Sequence, residues 1–285
     1  METSSLAHRL ATRFVAGETL DQALAVARRL NAEGITVTLD HLGESVSTLA
    51  EAAQARDVYL CTLDAIHEHG IQGNVSLKLT QFGLDLSYEE CLANVDRLVG
   101  RAAALGSFVR IDMESNDYTD RTLDVMKTLH ARYGATGVVI QSYLHRSKAD
   151  IEALCAARIR VRLCKGAYLE PASVAFPRKA EVDKSYLELS QYLLLHGTYP
   201  ALATHDEAMI VRIRAFVGER QIRRDSFEFQ MLYGIRRDLQ RKLVVEGYGL
   251  RLYVPFGKAW YPYYMRRLAE RPANVLFMLR NLFRA

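Results

Sequence analysis

Two adjacent arginines and a nearby glutamate carry the clearest chemical signal in this sequence. Arg266 and Arg267 lie in the segment 264–271, and Glu270 follows them. If this segment is helical, Glu270 comes three residues after one arginine and four after the other, so its carboxylate can contact both guanidinium groups. Guanidinium groups held in this way can each make a bidentate, charge-assisted contact with a substrate carboxylate. The same pattern also occurs on solvated helix faces, so the elements that would position it have to be considered.

The composition is that of a folded protein with a mild positive charge. The 285 residues are 49% hydrophobic and 25% charged, and 37 basic against 33 acidic side chains leave a net charge of +4. No run of five basic residues and no zinc-finger spacing occurs, so we expect no nucleic-acid partner. The eight histidines show no metal-ligand spacing, and we expect no metal. Isolated basic side chains of this kind are better suited to binding a small anionic molecule than to binding nucleic acid.

The cysteines and apolar segments predict a cytoplasmic location. The four cysteines are scattered and form no C-x-x-C pair, which is typical of a reducing compartment. We expect no secretory signal at the N-terminus and no membrane-spanning helix, because no run of 18 apolar residues occurs. The amphipathic segment 275–284 is expected to pack against the rest of the protein. Peripheral contact with the inner membrane is the alternative for this segment.

Eight short apolar segments alternate with longer amphipathic ones from residue 35 onward. The predicted strands are 35–40, 75–79, 108–113, 137–141, 160–164, 201–204, 226–231 and 250–254. The predicted helices are 45–69, 88–105, 119–133, 147–157, 182–195, 207–220 and 236–246. Eight alternating βα units predict an α/β protein with a (βα)8 barrel over residues 35–285, preceded by a helical segment over 1–34. A doubly wound open sheet is the alternative, but no glycine fingerprint follows the first strand.

Charged side chains recur where the predicted strands end. Lys78, Asp112, Arg162 and Lys165 each lie at or just after the carboxyl end of an apolar strand. In (βα)8 barrels the active groups come from these ends and from the loops that follow. Because charges inside a barrel are unfavourable unless they are paired, the four residues together predict one site with balanced charges.

Five segments, in this order, resemble the signature segments of the proline dehydrogenase family. They are Ser76-Leu77-Lys78-Leu79-Thr80-Gln81, Arg110-Ile111-Asp112-Met113-Glu114, Arg162-Leu163-Cys164-Lys165-Gly166-Ala167-Tyr168, Phe229-Gln230-Met231-Leu232-Tyr233-Gly234 and the segment 264–275. The resemblance covers residues 35–283 and implies a distorted (βα)8 TIM-type barrel that binds FAD. It implies oxidation of L-proline to Δ1-pyrroline-5-carboxylate by hydride transfer from C5 to flavin N5, with electrons passed to a membrane quinone. The length implies the monofunctional bacterial form, functionally coupled to a separate pyrroline-5-carboxylate dehydrogenase.

The resemblance also implies roles for the residues that would contact the substrate. Arg266 and Arg267 would bind the carboxylate of proline together with Lys78. Glu270 and Asp112 would orient these cations and balance their charge.

Further residues would pack on the proline ring or contact the cofactor. Leu232 and Tyr253 would contact the ring and limit its size. Arg162 would lie beside the N5/O4 edge of the flavin and stabilise negative charge there, so Asp112 and Arg162 are the implied catalytic pair. The implied FAD contacts are Met113, Gln141, Arg162, Lys165, Gly166, Ala167, Thr204, His205 and Gln230. No residue is assigned as a dedicated base.

Two other functions remain open at the level of sequence. Lys78 or Lys165 could form a Schiff base, which would make the chain a class I aldolase-type lyase on a (βα)8 barrel. Such an enzyme would be trapped by borohydride with a carbonyl substrate and would have no visible chromophore. A non-catalytic anion-binding barrel would tolerate Arg162→Ala without loss of turnover.

Overall fold

In the computed structural model, which describes residues 14–43 and 45–260, eight parallel strands form a closed barrel. Each strand pairs with the next along the chain, and the eighth pairs with the first. The strands are β1 (Thr36–His41), β2 (Gly73–Leu77), β3 (Val109–Ile111), β4 (Thr136–Gln141), β5 (Arg160–Cys164), β6 (Ala201–Ala203), β7 (Glu228–Leu232) and β8 (Gly249–Phe256). All eight predicted strands are present, so the predicted (βα)8 barrel is confirmed.

In the part of the chain that the structure describes, one α-helix precedes β1 and seven α-helices lie between consecutive strands. They are α1 (Leu20–Ala32), α2 (Leu49–Glu68), α3 (Tyr88–Ala104), α4 (Thr119–Tyr133), α5 (Ser147–Ala156), α6 (Lys179–His196), α7 (Glu207–Glu219) and α8 (Arg237–Val245). Of the predicted helical segment 1–34, the structure describes residues 14–34, which contain α1. The buried residues of α1 recur every three or four positions, as expected for a helix packed on one face.

Several element boundaries differ from the predicted ones for local reasons. The second strand ends at Leu77 rather than at residue 79, because a 3-10 helix over Leu79–Phe82 takes over and stops at Gly83, whose φ is 90°. Helix α2 begins at Leu49 rather than residue 45, since Thr48 and Glu51 form a capping box. Helix α6 begins three residues before its prediction, where the backbone N of Arg178 donates to Glu181 Oε2 at 3.3 Å.

A buried ion pair lies at the amino-terminal end of the barrel interior. Arg251 Nε donates to Glu228 Oε1 at 2.8 Å, and Arg251 Nη1 donates to Asn74 Oδ1 at 3.2 Å. Burial alone would raise the pKa of Glu228, but Arg251 outweighs burial and lowers it. The charges of Glu228 and Arg251 therefore compensate each other inside the barrel.

Candidate active site

A cavity of about 320 Å³ lies at the carboxyl end of the barrel. Its described lining contains every predicted site residue that the structure describes: Lys78, Asp112, Met113, Gln141, Arg162, Lys165, Gly166, Ala167, Thr204, His205, Gln230, Leu232 and Tyr253. Arg266, Arg267 and Glu270, the other three predicted residues, lie outside the described residues. Seven different strands or the loops after them thus contribute to one cavity.

Asp112 is the centre of a hydrogen-bond cluster in this cavity. Its Oδ1 accepts from Ser76 Oγ at 2.5 Å and from Arg162 Nη1 at 2.8 Å, and its Oδ2 accepts from Tyr253 Oη at 3.1 Å. The Arg162 guanidinium carbon lies 5.5 Å from the centroid of the Tyr253 ring. The cluster joins residues of β2, β5 and β8 through one carboxylate that follows β3, so it fixes their side chains relative to one another.

Arg162 retains unused hydrogen-bonding capacity at the cavity. The residue is 6% exposed, and its Nε and Nη2 are buried without a hydrogen-bond partner among residues 14–43 and 45–260. A guanidinium group has five N–H donors, and buried donors are normally satisfied. The arrangement therefore favours a ligand with acceptor atoms next to Arg162.

Lys78 is a buried cation held among acidic groups. It follows β2, and its Nζ lies 3.9 Å from Oδ2 of Asp40 at the end of β1. Burial alone would lower the pKa of Lys78, but the nearby acidic groups, Asp40 first among them, outweigh burial and raise it. Tyr59 of α2 donates to Asp40 Oδ1 at 3.0 Å. Lys78 is therefore suited to bind an anion as a stable ammonium group.

Sequence analysis did not identify Asp40 or Tyr59 as part of this site. Asp40 has a usable signal, because it is a charged residue at the end of an apolar strand, like Asp112. Tyr59 has none, since it lies within a helical pattern in which an aromatic residue ordinarily indicates packing. Its contact with Asp40 depends on where α2 crosses the barrel.

Lys165 lies between two carboxylates contributed by different helical units. Its Nζ donates to Asp183 Oδ1 at 2.6 Å and to Asp206 Oδ2 at 2.8 Å. Burial raises the pKa of each carboxyl group, but the contacts with Lys165 outweigh burial, and both pKa values are lowered. Asp206 also caps α7 by accepting from Ala208 N at 3.1 Å. The ion pairs thus attach the loop after β5 to α6 and to the start of α7.

The loop after β5 comes close to Tyr143 at Gly166, which itself lines the cavity. Its φ is +115°, and an added Cβ would lie 2.6 Å from Cε1 of Tyr143. Only glycine meets both conditions without strain. Gln141 Nε2 donates to the Glu114 carbonyl at 2.8 Å, while its Oε1 accepts from Ala167 N at 3.4 Å. Gln141 therefore supports the backbone next to Gly166.

The tautomer of His205 follows from its contact with β7. His205 Nε2 is 2.8 Å from the backbone N of Leu232, which is a donor, so Nε2 accepts. In the neutral ring Nδ1 then carries the hydrogen. This contact joins the loop after β6 to the end of β7.

The described residues contain neither a membrane-crossing helix nor a clustered set of metal ligands. Within residues 14–43 and 45–260, no helix is both long and apolar enough to span a bilayer. In the same ranges, no group of three His, Cys, Asp or Glu side chains is arranged to hold a metal ion.

A closed (βα)8 barrel with a charged cavity at the carboxyl ends of its strands defines the class of TIM-barrel enzymes. Within that class, the chain belongs to the proline dehydrogenase family, whose family model matches residues 23–280. It is 43% identical over 280 residues to the proline dehydrogenase of Deinococcus radiodurans, covering 96% of this chain and 90% of that protein. It is 42% identical over 274 residues to proline dehydrogenase 1 of Bacillus subtilis (strain 168), covering 96% and 91%.

Solved structures show the same fold. Proline utilization A (PutA) from Bdellovibrio bacteriovorus, inactivated by N-propargylglycine, matches with a TM-score of 0.85 and 26% identity, covering 92% of this chain and 32% of that one. A PutA variant from Bradyrhizobium japonicum matches with a TM-score of 0.82 and 25% identity, covering 96% and 32%. The chain thus spans about a third of these longer proteins. The predicted family is confirmed, and the chain is an oxidoreductase that catalyses the first step of proline catabolism.

Proposed function

We propose that the chain oxidises L-proline to Δ1-pyrroline-5-carboxylate with FAD as its cofactor and a membrane quinone as the final electron acceptor. The observation that carries the proposal is the convergence of the described substrate and cofactor residues on one cavity. When bound, FAD would supply the hydride acceptor, its N5, for the hydrogen at proline C5. The product would pass to a separate pyrroline-5-carboxylate dehydrogenase.

The cavity lining fits a flavin cofactor at Arg162. Arg162 has buried donors that lack an acceptor among the described residues, and the edge of a flavin ring offers nitrogen and oxygen acceptors. The residues that would hold FAD are Met113, Gln141, Arg162, Lys165, Gly166, Ala167, Thr204, His205 and Gln230.

The substrate would be held by its charge and by its ring. Lys78 would bind the carboxylate together with Arg266 and Arg267, which lie outside the described residues. Tyr253 and Leu232 line the same cavity and would pack against the ring. A saturated five-membered ring gives few polar contacts, so the ring would be positioned by packing and the carboxylate by charge.

Asp112 would couple the position of the ring to the position of the Arg162 charge. It bonds Tyr253 and Arg162 at the same time. A guanidinium fixed in advance can stabilise negative charge that develops beside it, because it need not reorient during the reaction. The surrounding cations would also favour the neutral form of the substrate amine, whose lone pair assists hydride loss. No residue is assigned to accept the amine proton.

The geometry does not favour the Schiff-base lyase. A lysine that attacks a carbonyl must be neutral. Lys165 is bound by two carboxylates, and the pKa of Lys78 is raised by its acidic neighbours despite burial. Lys78 is therefore held as an ammonium group, and Lys165 is engaged by Asp183 and Asp206.

A visible spectrum of the purified protein, recorded before and after anaerobic addition of L-proline, tests the proposal. A flavin spectrum that bleaches with proline supports cofactor and substrate together, and recovery on addition of a soluble quinone supports the acceptor. The Arg162→Met variant should bleach much more slowly, while Arg101→Met, a surface arginine paired with Asp64 at 2.7 Å, should match wild type. A colourless protein that takes up no added FAD would refute the proposal.

A further inference from the structure

Asp40 is a deeply buried carboxylate fixed from outside the barrel. It lies near the end of β1 and is 1% exposed. The hydroxyl of Tyr59 accepts from His41 N at 3.2 Å and donates to Asp40 Oδ1 at 3.0 Å. Tyr59 is itself fully buried, so the packing of α2 fixes the position of its hydroxyl group.

The second oxygen of Asp40 lies near Lys78. Oδ2 is buried without a hydrogen-bond donor among the described residues, and it lies 3.9 Å from Lys78 Nζ. The two side chains are 1% and 10% exposed. A carboxylate buried this deeply is unfavourable unless a cation compensates it. Lys78 supplies that compensation, and Asp40 does the same for Lys78.

Other acidic groups also face Lys78, but two of them are already engaged. Asp112, after β3, accepts from three side chains. Glu114 accepts from the backbone and side chain of one threonine, and burial raises its pKa. Tyr168, after β5, also contributes to the field at Lys78. Among the acidic groups that the structure describes around Lys78, Asp40 has a buried oxygen without a hydrogen-bond donor 3.9 Å from its ammonium group.

We propose that Asp40, oriented by Tyr59, is a positioning residue that acts through Lys78 by holding it in its ammonium form for the substrate carboxylate. The inference rests on the proposed role of Lys78 in binding that carboxylate. Asp40 itself does not contact the substrate in this scheme, because an anion there would repel the carboxylate. Its effect passes entirely through Lys78.

The test is the pH dependence of inhibition by cyclopentanecarboxylate in the Asp40→Asn holoenzyme. This probe keeps the ring and the carboxylate but has no titratable amine, so changes in Ki between pH 6.5 and 9.5 report on the protein. Two charges 3.9 Å apart change a protonation equilibrium on the order of a hundredfold or more at an effective dielectric of about 20. Wild-type Ki should therefore stay nearly constant, while the variant Ki should rise about tenfold or more at the alkaline end.

The two ends of the pH range separate positioning from simple structural damage. At pH 6.5 Lys78 remains charged and one negative charge is gone, so the variant should bind the probe at least as well as wild type. A structural defect would instead weaken binding equally at every pH. Asp40→Glu should restore a flat profile, and Asp64→Asn, on the surface, should match wild type.

A constant ratio of variant to wild-type Ki across the pH range would overturn the inference. If Lys78→Met leaves Ki unchanged, the proposed role of Lys78 fails instead, and the two failures are distinguishable.

If Asp40→Asn does not fold, the stability of the double variant Asp40→Asn/Lys78→Met tests whether the two side chains compensate each other. This variant removes both buried charges and should be more stable than Lys78→Met alone, which leaves Asp40 uncompensated. A double variant that is less stable than Lys78→Met would contradict the pairing.

Discussion

Neutralising Asp112 should damage both the stability and the activity of the enzyme, because one carboxylate anchors three side chains. Asp112→Asn keeps the shape of the side chain and removes the charge that compensates Arg162 at 2.8 Å. The two side chains are 14% and 7% exposed, so solvent screens the pair little. Leaving a buried guanidinium without its partner costs about 3–5 kcal/mol.

The size of this effect can be measured against two graded controls. A loss of about 3 kcal/mol corresponds to a fall in Tm of about 6 °C or more for a chain of this size. Ser76→Ala removes one donor to Asp112 but leaves the ion pair, and it should cost about 1.5 kcal/mol. Asp96→Asn breaks a surface pair with Arg132 and should cost less than about 1 kcal/mol. Thermal unfolding of the three holoenzymes should follow this order.

Activity provides an independent measurement of the same arrangement. Arg162 and Tyr253 lose their common anchor in Asp112→Asn, and misplacement by about 1 Å can reduce a rate about a hundredfold. We therefore expect kcat/KM for L-proline to fall about a hundredfold, while Asp96→Asn stays within about twofold of wild type. The reasoning is refuted if Asp112→Asn matches Asp96→Asn in both Tm and kcat/KM.

Three further predictions concern the loop after β5 and the last segment of the chain. Gly166→Ala should lower both Tm and the FAD-to-protein ratio, because its φ is +115° and the new Cβ meets an aromatic ring. Gly106→Ala, at φ +63° with no atom within 4 Å, should cost only about 1 kcal/mol. Lys165→Met should lower Tm at pH 7, since Lys165, joined by Lys179 at Asp183, outweighs burial and lowers the pKa of its two carboxylate partners below 3.8. This stability is present above pH 3.8 and is lost as the pH falls through the lowered pKa values, so Tm of variant and wild type should converge once the pH is below them. Arg266→Met and Arg267→Met should each raise the KM for proline about tenfold or more with FAD still bound, and a normal KM in both would exclude them from the carboxylate site.

The alternation of short apolar and longer amphipathic segments in the sequence was sufficient to predict the fold. Each strand and each helix has a local signal, namely a short apolar run or an amphipathic period closed by a cap. The boundaries that differ, such as the end of β2 and the start of α2, depend on which residue makes the capping contact. That choice is settled by geometry rather than by residue type.

The sequence by itself also predicted that Lys78, Asp112, Arg162 and Lys165 would lie at one site, because the carboxyl ends of parallel strands meet at one end of a barrel, and all four line the cavity. Only the tertiary structure decided which of them contact one another. Asp112 bonds side chains 36, 50 and 141 positions away, and Lys165 bonds two that are 18 and 41 positions away. Asp40 receives its hydrogen bond from Tyr59, a residue with no functional signal in the sequence. Such pairings depend on the closure of the barrel and on where each helix crosses it, and neither property is encoded in the local periodicity of the chain.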